Sequence, residues 1–185
     1  MPIVNATLLP GYPSEVEARL VSRLATATRS VIAAPAEGTT VCVSHASTYQ
    51  RAGEVLSSGA GHRPVAGEIA VAFLRAMEAR DLAQARRFLA PGFVMCFPGG
   101  REMTRLEELV ERSAGRYRSV AKTFERIDEA WTDLGAVVYC SGTLHGTWND
   151  GTGFDGIRFI DRFEVADGLI VRQDVWNDMG EVIRR

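Results

Sequence analysis

Asp161 is the side chain with the clearest chemical potential in this sequence. Alternation along a predicted strand places it on one face with Phe159, Phe163 and Val165. A carboxyl among apolar side chains has its charged form penalised, so its pKa rises and it can stay neutral as a proton donor. An arginine such as Arg158 or Arg75 would instead make it one half of a structural ion pair. Cys96, at the end of an apolar run, fits a small buried hydrophobe better than a nucleophile, because no base stands beside it. His145 shares a strand face with Val137, Tyr139, Ser141 and Thr143, which suits a wall residue more than a pocket proton donor. Gln173 and Asn177 fall at the same alternation as Val171 and Val175 and line a pocket floor if that face turns inward.

Metal chemistry is not expected. Cys42, Cys96 and Cys140 are odd in number and far apart, no Cys-x-x-Cys occurs, and His45, His62 and His145 are isolated. The net charge of −2 is spread evenly: four basic and four acidic residues precede position 61, leaving seventeen and nineteen of the 21 and 23. Neither part is a nucleic-acid magnet. All the basic residues but Lys122 are arginine, which reads as coding bias. With 46% apolar and 24% charged residues the chain is globular. No run approaches the ~20 apolar residues of a membrane span, and no signal sequence opens the chain, so the expected compartment is the cytoplasm.

The elements that must carry these side chains fall into two groups. Residues 3–9 form a short apolar strand stopped by Pro10, Gly11 and Pro13. Ser14 and Glu17 read as a capping box, and Val16, Leu20, Leu24 and Val31 continue at helical spacing until Pro35. The β-branched run from Thr39 to His45 is a second strand. Strand, helix, strand is a βαβ unit with parallel strands. Residues 51–65, rich in Gly and Ser, read as a linker, its core at 56–65. The predicted division is 1–55, linker, 66–185. The shorter part is too small to cover both faces and edges of its sheet, so the chain is expected to form a homo-oligomer.

Beyond the linker, Ile69, Phe73 and Met77 mark one helix face, and Asp81 opens a second short helix through Leu82, Ala85, Phe88 and Leu89. Residues 93–97 form a strand, and Thr104 with Glu107 reads as a box opening a third helix. Four antiparallel strands follow at 122–131, 136–148, 156–166 and 169–178, the last two joined by an Ala-Asp-Gly turn at 166–168. The fold class is α+β: a curved antiparallel sheet, a half-cone, with three helices on its concave side around a pocket.

Two resemblances follow. The opening MPIVNATLLPG, the helix after it, Ala34-Pro35 and the strand TTVCV at 39–43 resemble the tautomerase superfamily of 4-oxalocrotonate tautomerase. That resemblance implies that Met1 is removed and that Pro2 becomes a secondary-amine base for keto–enol proton transfer. The family's substrate-binding arginines are replaced by Tyr12 and Thr40, and its aromatic wall falls near Arg51, which puts a dicarboxylate substrate in doubt.

Residues 64–185 resemble the nuclear-transport-factor-2-like superfamily in its SnoaL-like, polyketide-cyclase-like branch, on the element order, the GTLHG segment at 142–146 and the ending FEVADGLIVRQDVWND at 163–178. Compared with the superfamily's ketosteroid isomerases, the tyrosine position reads Phe73, the base position reads Cys96, and Asp161 matches the protonated aspartate. The resemblances together imply a cofactor-independent small-molecule isomerase or tautomerase, with Pro2 and Asp161 catalytic. Tyr12, Arg51, Phe73, Cys96, His145, Gln173 and Asn177 would bind. The alternative is a binding or assembly protein whose βαβ segment only oligomerises the pocket domain. Its partners would be a small molecule and further copies of the chain, with no nucleic acid and no membrane.

Overall fold

A computed structural model describes the chain except residues 10, 47–48, 52, 57–61 and 184–185, and except the side chains of 51, 54–56 and 183. It divides into two compact units, Met1–His62 and Arg63–Arg185. In the first, β1 (Ile3–Leu8) and β2 (Thr40–His45) pair in parallel, from Ile3 against Thr40 to Leu8 against His45, with α1 (Ser14–Val31) between them in sequence. The expected capping box does not form. Pro13 takes the cap position with extended backbone, so Ser14 already lies inside the helix. Glu17 accepts from Nε2 of His45 at 2.7 Å instead of from the backbone. Part of the expected linker is paired structure: β3 (Tyr49–Arg51) and β4 (Glu54–Leu56) form an antiparallel ribbon, while 57–61 lie outside the described residues.

The second unit is α+β. Helices α2 (Ala66–Glu78), α3 (Leu82–Arg86) and α4 (Leu106–Ala114) come early and α5 (Met179–Ile183) closes the order, four among the described residues where three are expected. The strands are β5 (Leu89–Phe97), β6 (Arg101–Met103), β7 (Tyr117–Trp131), β8 (Gly135–Trp148), β9 (Gly153–Ala166) and β10 (Leu169–Asn177). Their order across the sheet is β6-β5-β10-β9-β8-β7, with β5 and β10 parallel and every other pair antiparallel. The β9–β10 turn forms as expected: Asp167 and Gly168 both have positive φ, 49° and 81°, the geometry a two-residue hairpin demands.

Two boundaries differ from expectation for identifiable reasons. The second helix stops at Arg86, and Leu89, expected in it, starts β5 by pairing with Ile170. Pro91 and Gly92 then fall where the β5–β10 ladder is interrupted, the one place a residue without an N–H is harmless. The second capping box is also missing. Arg105 occupies the cap position, its Nε donates to Glu108 at 2.9 Å, and Glu107 pairs with Arg86, so the carboxylates serve arginines rather than helix N–H groups. Asp81 does cap α3, accepting from the Gln84 N–H at 2.9 Å.

Long strands interrupted by register shifts bend the sheet, with shifts in the β7–β8 and β8–β9 pairings. Gly142 and Gly146 lie beside them. A Cβ on either would run into the β7 backbone, at the Thr123 carbonyl and the Ser119 carbonyl respectively, so both positions require a bare backbone. The inner face of the sheet packs on α2, where Phe73 sits edge-on to Phe93 and Phe163 at ring separations of 6.2 and 6.0 Å. Among the described residues no helix is long and apolar enough to cross a membrane.

Candidate functional site

Between the inner sheet face and helices α2 and α4 lies a cavity of about 220 Å³. Its apolar wall comes from α2 and α4 through Phe73, Met77 and Leu109, and from Leu144 and Val175 on the sheet. Asp161 is fully buried in this wall and contributes to the cavity lining. Across β8, Lys122 extends from β7 until its Nζ stands 2.7 Å from Oδ2 of Asp161 and 3.8 Å from the centroid of the Phe159 ring. The ammonium compensates the charge of the carboxylate through Oδ2, and Oδ1 has no hydrogen-bond partner among the described residues.

Burial drives the Asp161 carboxyl above its ordinary pKa, and the Lys122 ammonium only partly opposes it. Cys140, opposite Asp161 in the β8–β9 register, has its thiol pushed up to about 12, first by burial and then by the neighbouring carboxylate. Gln173 is 3% exposed and lines the same cavity with Oε1 lacking a hydrogen-bond partner. Asn177 also lines it, its Oδ1 accepting from the Met179 N–H at 3.2 Å. The site thus offers a carboxyl held toward its protonated form, an adjacent ammonium and an unsatisfied amide oxygen. Such a set can pass a proton to or from a bound molecule and fix one of its polar atoms.

The SnoaL-like domain model matches residues 70–173, more than half of the chain and including both partners of this pair. The chain belongs to the SnoaL-like domain family. Solved structures agree on the fold. An NTF2-like protein of unknown function from Burkholderia pseudomallei is 17% identical, with a TM-score of 0.55 over 63% of this chain and 93% of its own. A Pseudomonas putida protein provisionally described as a polyketide cyclase is 15% identical, with a TM-score of 0.53 over 65% of this chain and 97% of its own. TerC, co-crystallised with polyporic acid, is also 15% identical, with a TM-score of 0.53 over 63% and 94%. A comparison with curated proteins finds no match.

Within the SnoaL-like unit the cavity brings together Asp161, Phe73, Gln173 and Asn177. Two expected binding residues do not face it. On β5 the inward parity belongs to Phe93, Met95 and Phe97, which turns Cys96 to the other face. On β8 the buried positions are 136, 138, 140, 142 and 144, so His145 points outward, where its Nδ1 lies 3.5 Å from Oγ1 of Thr123. Asp161 is paired with neither Arg158 nor Arg75. Arg158 is on the outer face with Asp178 at 2.6 Å, and Arg75 donates to Glu78 at 2.7 Å.

Pro2, Tyr12 and Arg51 belong to the first unit. Pro2 and Tyr12 are half-buried, and the Pro2 carbonyl accepts from the Thr40 N–H at 3.1 Å. With Met1 attached, the Pro2 nitrogen is an amide and cannot act as a base. Arg51 lies in β3, and its side chain is outside the described residues.

Lys122 is the residue that sequence reasoning passed over. Its signal was present: a chain with 21 basic side chains uses lysine once, and that one lysine reaches the buried carboxyl. A guanidinium is broader than an ammonium and always charged, so the exchange is not conservative in such a confined site.

Proposed function

We propose that the SnoaL-like unit is a small-molecule isomerase or cyclase-type enzyme that moves a proton at a carbon beside a carbonyl, with Asp161 as the proton carrier. The observation that carries this reading is the fully buried Asp161 carboxyl on the cavity wall, 2.7 Å from the only lysine of the chain. Lys122 sets the charge of that carboxyl and stabilises the negative charge that grows on the carbonyl oxygen during enolisation. Phe73 and Val175 hold the apolar body of the ligand, and Gln173 orients its polar end.

The test is solvent deuterium uptake, followed by NMR, into a panel of aryl ketones and phenylpyruvate-type keto acids. A compound exchanged by the wild type should lose at least about 100-fold of its rate in Asp161→Asn, the scale of general acid–base catalysis. Unchanged exchange in that variant would end the proposal.

A second reading concerns the first unit. Helix α1 buries none of its residues, and Ile3, Val31 and Ile32 are 67%, 87% and 51% exposed, which supports self-association of this segment as its role. A tautomerase-like site on Pro2 is the finer form of this reading, and it requires removal of Met1. Mass spectrometry of the amino terminus and sedimentation velocity separate the possibilities. A retained Met1 eliminates Pro2 as a base, a Pro2→Ala variant with full keto–enol activity eliminates it equally, and a monomer at micromolar concentration eliminates the assembly role.

A further inference from the structure

The acids and bases lining the cavity do not balance. Its two carboxylates are already engaged, Glu78 by Arg75 at 2.7 Å and Asp161 by Lys122 at 2.7 Å. Four arginines line the same space: Arg80, Arg112, Arg116 and Arg118. Arg118 lies in the field of Asp150, and Arg80 donates to the Ser113 hydroxyl at 3.2 Å. Arg112 and Arg116 have no carboxylate partner among the described residues.

Arg112 is the most telling. Its Nη1 is withdrawn from water and has no hydrogen-bond acceptor. A guanidinium is always charged, and desolvating one of its donors without an acceptor is unfavourable unless a counter-charge is supplied. No described residue supplies one, and the cavity beside it is open to a ligand. Guanidinium groups recognise carboxylates and similar oxyanions through paired, charge-assisted hydrogen bonds.

We propose that the ligand of this cavity carries an anionic oxygen group, a carboxylate or an ionised enol or phenol, and that Arg112 assisted by Arg116 receives it. The inference rests on reading the cavity as the enzyme's ligand site. It orients the ligand: the anion lies toward α4 and the start of β7, and the carbon that exchanges its proton lies toward Asp161 and Lys122. It also sets specificity, because a neutral analogue leaves the arginines without a partner.

Naphthoate and its neutral carboxamide, equal in size and apolar surface, are suitable probes, with binding followed by calorimetry. The wild type should bind naphthoate about tenfold more tightly than naphthamide, as a charge-assisted pair does. Arg112→Gln should erase that ratio. Arg116→Gln, at an exposed position that leaves the fold intact, should reduce it. Asp161→Asn should keep the ratio while losing deuterium exchange, so the anion site and the proton carrier fail separately. Equal affinities for the two probes, no measurable naphthoate binding, or a ratio preserved in both arginine variants would overturn the proposal.

Discussion

Lys122 and Asp161 stand on strands that are not neighbours. Lys122 on β7 is opposite Leu144 on β8, and Asp161 on β9 is opposite Cys140, so the ammonium crosses β8 diagonally to reach the carboxylate at 2.7 Å. Their relation therefore depends on the register of two separate strand pairs.

Removing one partner should harm the fold more than the bridge itself helps it. Lys122→Met leaves a buried carboxylate without compensation and should cost about 2–3 kcal/mol, below the usual cost for a fully buried pair because the lysine is 19% exposed. Asp161→Asn should cost less, since the freed ammonium still rests on Phe159. Urea unfolding of both variants and the double variant should give a coupling energy of roughly 1–2 kcal/mol. Strictly additive losses would mean that the pair has no energetic reality.

The raised pKa of Asp161 gives a pH signature of definite sign. The folded protein holds this proton more tightly than the unfolded chain does. The stability it contributes is therefore complete below the ordinary carboxyl value of about 4, and is lost as pH rises through the raised folded value. The stability difference between wild type and Asp161→Asn should fall across that window, by at most about 1.4 kcal/mol per pH unit, and level off above it. A difference that grew with pH would show that Lys122 outweighs burial.

The three thiols should separate by accessibility. Cys42 is exposed, Cys96 half-buried and Cys140 buried, the last pushed up to about 12. With dithiobisnitrobenzoate at neutral pH, Cys42 should react first, Cys96 more slowly, and Cys140 only on unfolding. Labelling of Cys140 at the rate of Cys42 would contradict the buried β8–β9 register.

Gly142→Ala should be costly despite adding one methyl group. The new Cβ would collide with the Thr123 carbonyl, backbone that cannot rotate away, and β7 would have to retreat with Lys122 on it. A loss of about 3 kcal/mol is expected by urea titration. Deuterium exchange should fall beyond the loss of folded protein, because the amine and the carboxyl move apart.

What was legible in the sequence was local. The Asp167–Gly168 turn needs only two residues able to take positive φ, and the parity of Asp161 with Phe159 and Phe163 follows from one strand. Alternation put Gln173 and Asn177 on one face and left open which way it turns, and the register shift between Ile170 and Arg172 breaks the parity with Val171. The expected capping boxes do not form because Glu17 and Glu107 have basic partners far along the chain, His45 for the first and Arg86 for the second, that a local motif does not reveal. Lys122 was missed for a related reason. The single lysine reads as coding bias because nothing near it in the sequence pairs with it: β7 begins at Tyr117 rather than at the expected 122, and the partner of Lys122 is 39 positions further on. Cys96 takes its place at the pocket from the isomerase comparison, and the parity of β5 turns it to the other face; His145, read from its strand face as a wall residue, sits on the exposed side of β8.

The position of β10 has a consequence for how the site comes into being. It follows every other strand in chain order, yet it lies between β5 and β9 at the middle of the sheet. During synthesis the ribosome presents β5 with β6, and β7 with β8 and β9, as two ribbons with no strand yet between them. The acid and the amine can meet within the second ribbon alone. Gln173, Val175 and Asn177 arrive afterwards, on the strand that welds the ribbons together. A nascent chain arrested before Leu169 would thus hold the Asp161–Lys122 pair and still lack the part of the cavity wall that β10 supplies.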